Sequence, residues 1–152
     1  MGTVTGKINL HAPMERVWKF ITDPENFPKY VYGYSGGEVL TSDKTGVGAR
    51  YRWYGKIGIL KLKSVEEIVE WEDNRRVAYS GTLFGIRFAS SMTIVLLKND
   101  TTLLTVSIKY TIPVFMGGVI TDFLMAKRIV KDYVDKSIEK LEQEFNSESY
   151  RR

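Results

Sequence analysis

The chain contains one histidine, no cysteine, nine tyrosines and three tryptophans. Any chemistry it performs must therefore come from phenols, indoles, lysines or carboxylates. His11 belongs to no recognisable pattern and falls where a strand gives way to a helix, so it reads as an exposed residue rather than a general base. Without cysteine or a second histidine, thiolate chemistry, disulfides and nitrogen- or sulfur-rich metal sites are excluded. Lys127 stands between Phe123 and Val130, inside an apolar stripe at helical spacing. A lysine there can pair with a ligand carboxylate or phenolate, or lose its charge to burial. The alternative is a packed stem at the stripe edge with a solvated ammonium. No residue pattern assigns a catalytic group, a metal site or a cofactor.

The aromatic residues suggest a place for binding instead. Tyr51 and Trp53 share one strand face, and Phe88 and Met92 share another with Ser90 between them. Tyr110 lies on the last strand, and Ile120, Phe123, Leu124 and Lys127 lie on the opening turns of a long helix. These residues are expected to line an apolar hollow carrying a few hydroxyl or cationic groups, the usual form of a small-molecule site. A filled core is the alternative. Arg50 and Arg52 alternate with Tyr51 and Trp53, which sends them to the opposite face, with Glu66, Glu67 or Glu70 as partners. Glu70, Asp122 and Arg87 reach the hollow only if a bulge shifts the register. Gly46-Val47-Gly48 is no phosphate loop, since it precedes a strand and lacks the Lys-Ser/Thr ending.

The elements that must position these side chains follow a simple order. Thr3 to His11 alternates as a first strand. Pro13 at the first helical position opens a short amphipathic helix through Met14, Val17, Trp18 and Ile21. Asp23-Pro24-Glu25 is a fresh helix start for a second short helix with Phe27 and Tyr30. Strands and turns then follow: a bulge at Gly36-Gly37, a turn at Ser42–Gly46, a strand with Tyr51 and Trp53 and a hairpin tip at Gly55–Gly58. A long strand runs to Trp71, then Val77–Gly81, Ile86–Leu97 and Leu103–Ile112 follow across short polar turns. This is an antiparallel meander. From Val119 to Phe145 one stripe (Ile120, Phe123, Val130, Val134, Ile138, Leu141, Phe145) describes a single helix of roughly 40 Å. Only the sheet can cover that stripe. Asn146–Arg152 is polar and expected to fray.

At 152 residues the chain is expected to form one domain, 1–152, with a substantial core. The net charge of +4 is spread along the chain rather than gathered into a stripe, which argues against nucleic-acid binding. The most apolar run, Ile112–Ala126, is interrupted by Pro113 and Asp122 and is too short for a membrane span. With no signal-peptide pattern at the N-terminus, a cytoplasmic location is expected. Phe115 and Met116, beside Gly117-Gly118, are candidates for touching a membrane surface or a second copy of the chain; an ordinary buried connection is the alternative.

The phrase Ala12-Pro13-Met14-Glu15-Arg16-Val17-Trp18, the corner Thr22-Asp23-Pro24, the meander and the long last helix together resemble the START/Bet v 1-like superfamily. The closest likeness is to its polyketide cyclase/dehydrase and lipid-transport branch. Glu66–Val77, ending Glu70-Trp71-Glu72-Asp73-Asn74-Arg75-Arg76-Val77, also resembles a strand-turn-strand of that branch. The resemblance implies an α+β helix-grip fold, in which a seven-stranded curved antiparallel sheet surrounds the C-terminal helix and two short helices follow strand 1. It further implies binding or transport of a small hydrophobic molecule (a lipid, polyketide, quinone or similar) between sheet and helix, since some members are enzymes and many are carriers; action by enclosure rather than bond-making is the leading expectation. The alternatives are a metal-free cyclase or dehydratase, and a membrane- or partner-docking module.

Overall fold

A computed structural model describes residues 2–83, 85–111 and 119–149, and the side chains of all these except 119–124 and 147–149. The strands are β1 Gly2–Leu10, β2 Tyr34–Val39, β3 Arg50–Ile57, β4 Leu60–Glu72, β5 Arg76–Leu83, β6 Ile86–Leu96 and β7 Thr102–Thr111. The helices are α1 Met14–Thr22, α2 Phe27–Tyr30 and α3 Val119–Ser149, with a 3₁₀ turn at Pro24–Asn26 leading into α2. The strands form one antiparallel sheet in the order β1-β7-β6-β5-β4-β3-β2. The meander therefore runs uninterrupted from β2 to β7, and β1 completes it by pairing with the last strand. This is the expected helix-grip architecture.

Local chemistry explains the element boundaries. The Asp23 side chain accepts a hydrogen bond from the Glu25 N–H at 3.0 Å, satisfying a donor at the start of the 3₁₀ turn. Pro13 sits one position earlier than expected, as the extended residue before α1. The β3–β4 hairpin closes through Gly58-Ile59, with Ile57 and Leu60 as the last register pair. Gly58 has φ +61°, a conformation a two-residue turn demands and glycine adopts without strain. The tip is thus later than Gly55–Gly58. The register shifts at Tyr34/Gly36, as the glycine pair suggested, and again between Ile68 and Glu70.

The inward face of the sheet carries two apolar blocks. The larger joins Leu10, Val17, Trp18, Ile21, Tyr51, Ile68, Val77, Tyr79, Ile94 and Leu104 to Leu141 and Phe145 of α3. The smaller joins Val4, Ile108 and Tyr110 to Val134, with Phe88, Val130, Tyr133 and Ile138 packed against it. The α3 stripe from Val130 to Phe145 is as expected. The helix continues to Ser149 instead of fraying at Asn146, whose Oδ1 accepts from the His11 N–H at 3.1 Å. That bond ties the last helix to the β1–α1 junction. Among the described residues no helix is long and apolar enough to cross a membrane.

Candidate functional site

The candidate site grows from the β3–β4–β5–β6 register. Tyr51 faces Glu66 across the β3–β4 ladder, and Trp53 faces Ser64. Glu66 faces Gly81 on β5, which in turn faces Phe88 on β6, opposite Tyr110 on β7. Because side chains alternate across a strand, all of these point to the inward face. Glu66 is therefore a carboxylate inside the grip. Its Oε1 accepts the Trp53 Nε1–H at 2.7 Å. Burial pushes its pKa up to about 7, and the Trp53 hydrogen bond opposes part of that rise.

Gly81 makes room for it. A Cβ at Gly81 would lie 2.7 Å from Phe88 Cζ, 2.8 Å from the Val65 carbonyl oxygen and 2.9 Å from Glu66 Cγ. Around the carboxylate stand phenols from both apolar blocks. Burial pushes Tyr30 and Tyr79 well above the usual phenol range. It also raises Tyr51, to about 12, and Tyr133 on α3; the Glu66 charge adds to the rise in all four. Tyr30 donates to the Ile21 carbonyl at 2.6 Å, and Tyr51 donates to the Lys44 carbonyl. The hydroxyls of Tyr79 and Tyr110 are buried with no hydrogen-bond partner among the described residues. A buried polar group in that state calls for a partner.

The expected lining residues are thus partly brought together. Tyr51 and Met92 are buried in the larger block, Tyr110 is buried in the smaller one, and Phe88 packs against the smaller one. Trp53 is half-buried, stacked at 6.4 Å on Tyr34, and holds Glu66. Lys127 is exposed, one position past Ala126, which packs against the smaller block. The side chains of Ile120, Phe123, Leu124 and Asp122 lie outside the described residues, as do Phe115 and Met116. Arg52 pairs with Glu38 at 2.8 Å, and Glu70 pairs with Arg76 at 2.7 Å on the outer face. Arg52 therefore pairs with none of Glu66, Glu67 and Glu70, while Arg50 stands opposite Glu67 in the β3–β4 register. The bulge beyond Ile68 leaves Glu70 outside and Trp71 against the larger block. Sequence reasoning missed Glu66 as an interior group, although Leu62, Ser64, Glu66 and Ile68 occupy alternate positions of one strand.

Several inward-facing residues, namely Ile8, Trp53, Glu66, Phe88, Ser90, Val106 and Tyr133, keep part of their surface accessible. A separate surface depression of about 360 Å³ lies between α1, the 3₁₀ turn, α2 and the end of α3, lined in part by Arg16, Lys19, Phe20 and Phe145. It contains none of the residues just named. Among the described residues no group of three or more His, Asp or Glu side chains is arranged to hold a metal ion.

The family model described as polyketide cyclase / dehydrase and lipid transport matches residues 1–146. No curated protein matches the sequence. Among solved structures, a protein from Thermus thermophilus is similar at 22% identity and a TM-score of 0.78, covering 97% of this chain and 99% of that one. A START superfamily protein from Mycobacterium smegmatis is 17% identical with a TM-score of 0.78, covering 95% and 97%. The ginseng major latex-like protein 151 from Panax ginseng is 19% identical with a TM-score of 0.71, again covering 95% and 97%.

Proposed function

This chain belongs to the polyketide cyclase/dehydrase and lipid-transport family, and we propose that it binds a small, mainly apolar molecule between the sheet and α3, with Glu66 as the polar anchor. The observation that carries this reading is the Glu66–Trp53 pair set among phenols at the junction of the two apolar blocks. Inward-facing side chains that keep accessible surface support a hollow there rather than a filled core. Apolar burial, about 25 cal/mol per Å², drives binding. The polar groups then select orientation. Glu66 accepts an O–H or N–H from the ligand, while the Tyr79 and Tyr110 hydroxyls offer donors to a ligand oxygen. A ligand bearing a hydroxyl or enol is favoured over a carboxylate, whose charge would meet that of Glu66.

Native mass spectrometry followed by organic extraction of freshly purified protein tests this reading. A co-purifying hydrophobic molecule is expected, held about tenfold more weakly by Glu66→Leu, as befits one lost hydrogen bond to a charged group. A protein that carries nothing, and binds no member of a panel of hydroxylated polycycles and lipids, would overturn it.

One observation favours a second reading. A carboxyl with a pKa pushed up to about 7 is matched to proton transfer near neutrality. In a cyclase or dehydratase, Glu66 would take a proton from a carbon beside a carbonyl, and the Tyr79 hydroxyl would steady the enolate oxygen. Turnover of a poly-β-ketone analogue that disappears in Glu66→Gln, with ligand binding retained, would distinguish enzyme from carrier.

A further inference from the structure

The β3–β4 hairpin ends in an aliphatic tip, where Ile59 meets no other side chain among the described residues and Leu60, opposite Ile57, is half-exposed. Ile59 is 100% exposed and Leu60 is 51% exposed. The turn needs the positive φ of Gly58 but needs nothing apolar beside it, and polar turn residues would serve equally well. Charge makes the tip more unusual. Lys56 and Lys61 are direct register partners, and like charges placed opposite one another weaken a hairpin. Lys63 follows on the same outer face, opposite Tyr54. Across the same end of the sheet, Arg87 pairs in register with Thr82 and Thr111, and Lys109 with Ala89. All five cations are exposed, and none has an ion pair among the described residues. The nearest β4 acid, Glu66, points inward.

We propose that this end of the sheet docks on an anionic lipid bilayer, with Ile59 and Leu60 entering the interface and Lys56, Lys61 and Lys63 resting on the headgroups. An aliphatic tip on a two-residue turn suits a fluid apolar layer, which needs no shaped pocket to receive it. Basic side chains beside such a tip gain from the negative surface potential, and their long stems can follow the aliphatic residues downward. A nucleic acid would use the charges but not the isoleucine. Lys56 and Lys61, opposed in the free protein, acquire a shared counter-charge on binding. The proposal concerns the outer surface and is independent of what the interior holds.

Co-sedimentation with vesicles tests it, comparing phosphatidylcholine alone with phosphatidylcholine containing phosphatidylglycerol. The wild-type chain is expected to bind the anionic vesicles and to be released as salt rises, since exposed charges are screened over about 8 Å at physiological ionic strength. Ile59→Asp is expected to lower the bound fraction roughly tenfold. Its melting temperature should not change, because Ile59 touches no core residue. Lys56→Glu combined with Lys61→Glu is expected to abolish the preference for anionic vesicles. Absence of binding to anionic vesicles, equal binding to both vesicle types, or Ile59→Asp binding as well as wild type would each overturn the proposal. So would a preference for duplex DNA over anionic vesicles.

Discussion

At the scale of single residues, Glu66 is the group whose environment departs most from its sequence neighbours. Its carboxyl titrates at about 7 in the folded protein against an ordinary 4.5. Below 4.5 both folded and unfolded chains carry the proton and nothing is lost. Between 4.5 and about 7 the unfolded chain releases its proton first, so stability falls as pH rises. Above 7 the loss levels off at about 3 kcal/mol, less whatever the residue's accessible surface gives back to solvent. Glu66→Gln keeps an acceptor for Trp53 and removes the charge. It should match wild type near pH 4.5 and melt higher at pH 8, which thermal unfolding followed by circular dichroism can measure at both values. Trp53→Phe removes the one donor that lowers the carboxyl's pKa. The midpoint of the Glu66 titration, read from side-chain carboxyl NMR, should therefore move above its wild-type value.

Among elements, the contact between β1 and α3 is the tightest point of the grip. A Cβ at Gly6 would press into the side chains of Ile138 and Val134. Gly6→Ala should cost about 1–3 kcal/mol through overpacking, measured by denaturant unfolding. Leu141→Ala, at a position 1% exposed, should cost about 2–5 kcal/mol by leaving a cavity. This helix was legible in the sequence because Val130, Val134, Ile138, Leu141 and Phe145 keep helical spacing. Strand β7 was legible for a similar reason, its alternation of Leu104, Val106, Ile108 and Tyr110 being unbroken. The interior place of Glu66 was not legible, because a carboxylate in a Glu66-Glu67 pair is ordinarily solvated. That place depends on Gly81, its register partner on the next strand, and on Trp53 supplying a donor. Lys127 lay near enough to the stripe to suggest either face, since a single residue turns a helix by about 100°. The bulge beyond Ile68 was likewise unreadable, as no glycine or proline marks it.

For the molecule as a whole, α3 and the sheet cover most of one another's apolar faces, with α1 and Tyr30 of α2 sharing the larger block. A chain ended after Thr111 should therefore lose its cooperative thermal transition, a result that differential scanning calorimetry would show directly. The same economy has a temporal side. β1 is the first strand made, yet its register partners run from Thr102 to Tyr110, and α3 lies beyond them. During synthesis, Val4, Ile8 and Leu10 must wait, unpaired, while about a hundred residues emerge, at roughly 5–20 residues per second. The sheet cannot close from its first edge, and the Glu66 environment cannot form until the last helix has cleared the ribosome. The fold thus completes only once α3 is available, and a nascent chain stalled before α3 presents a long, open apolar face to chaperones rather than a half-built protein.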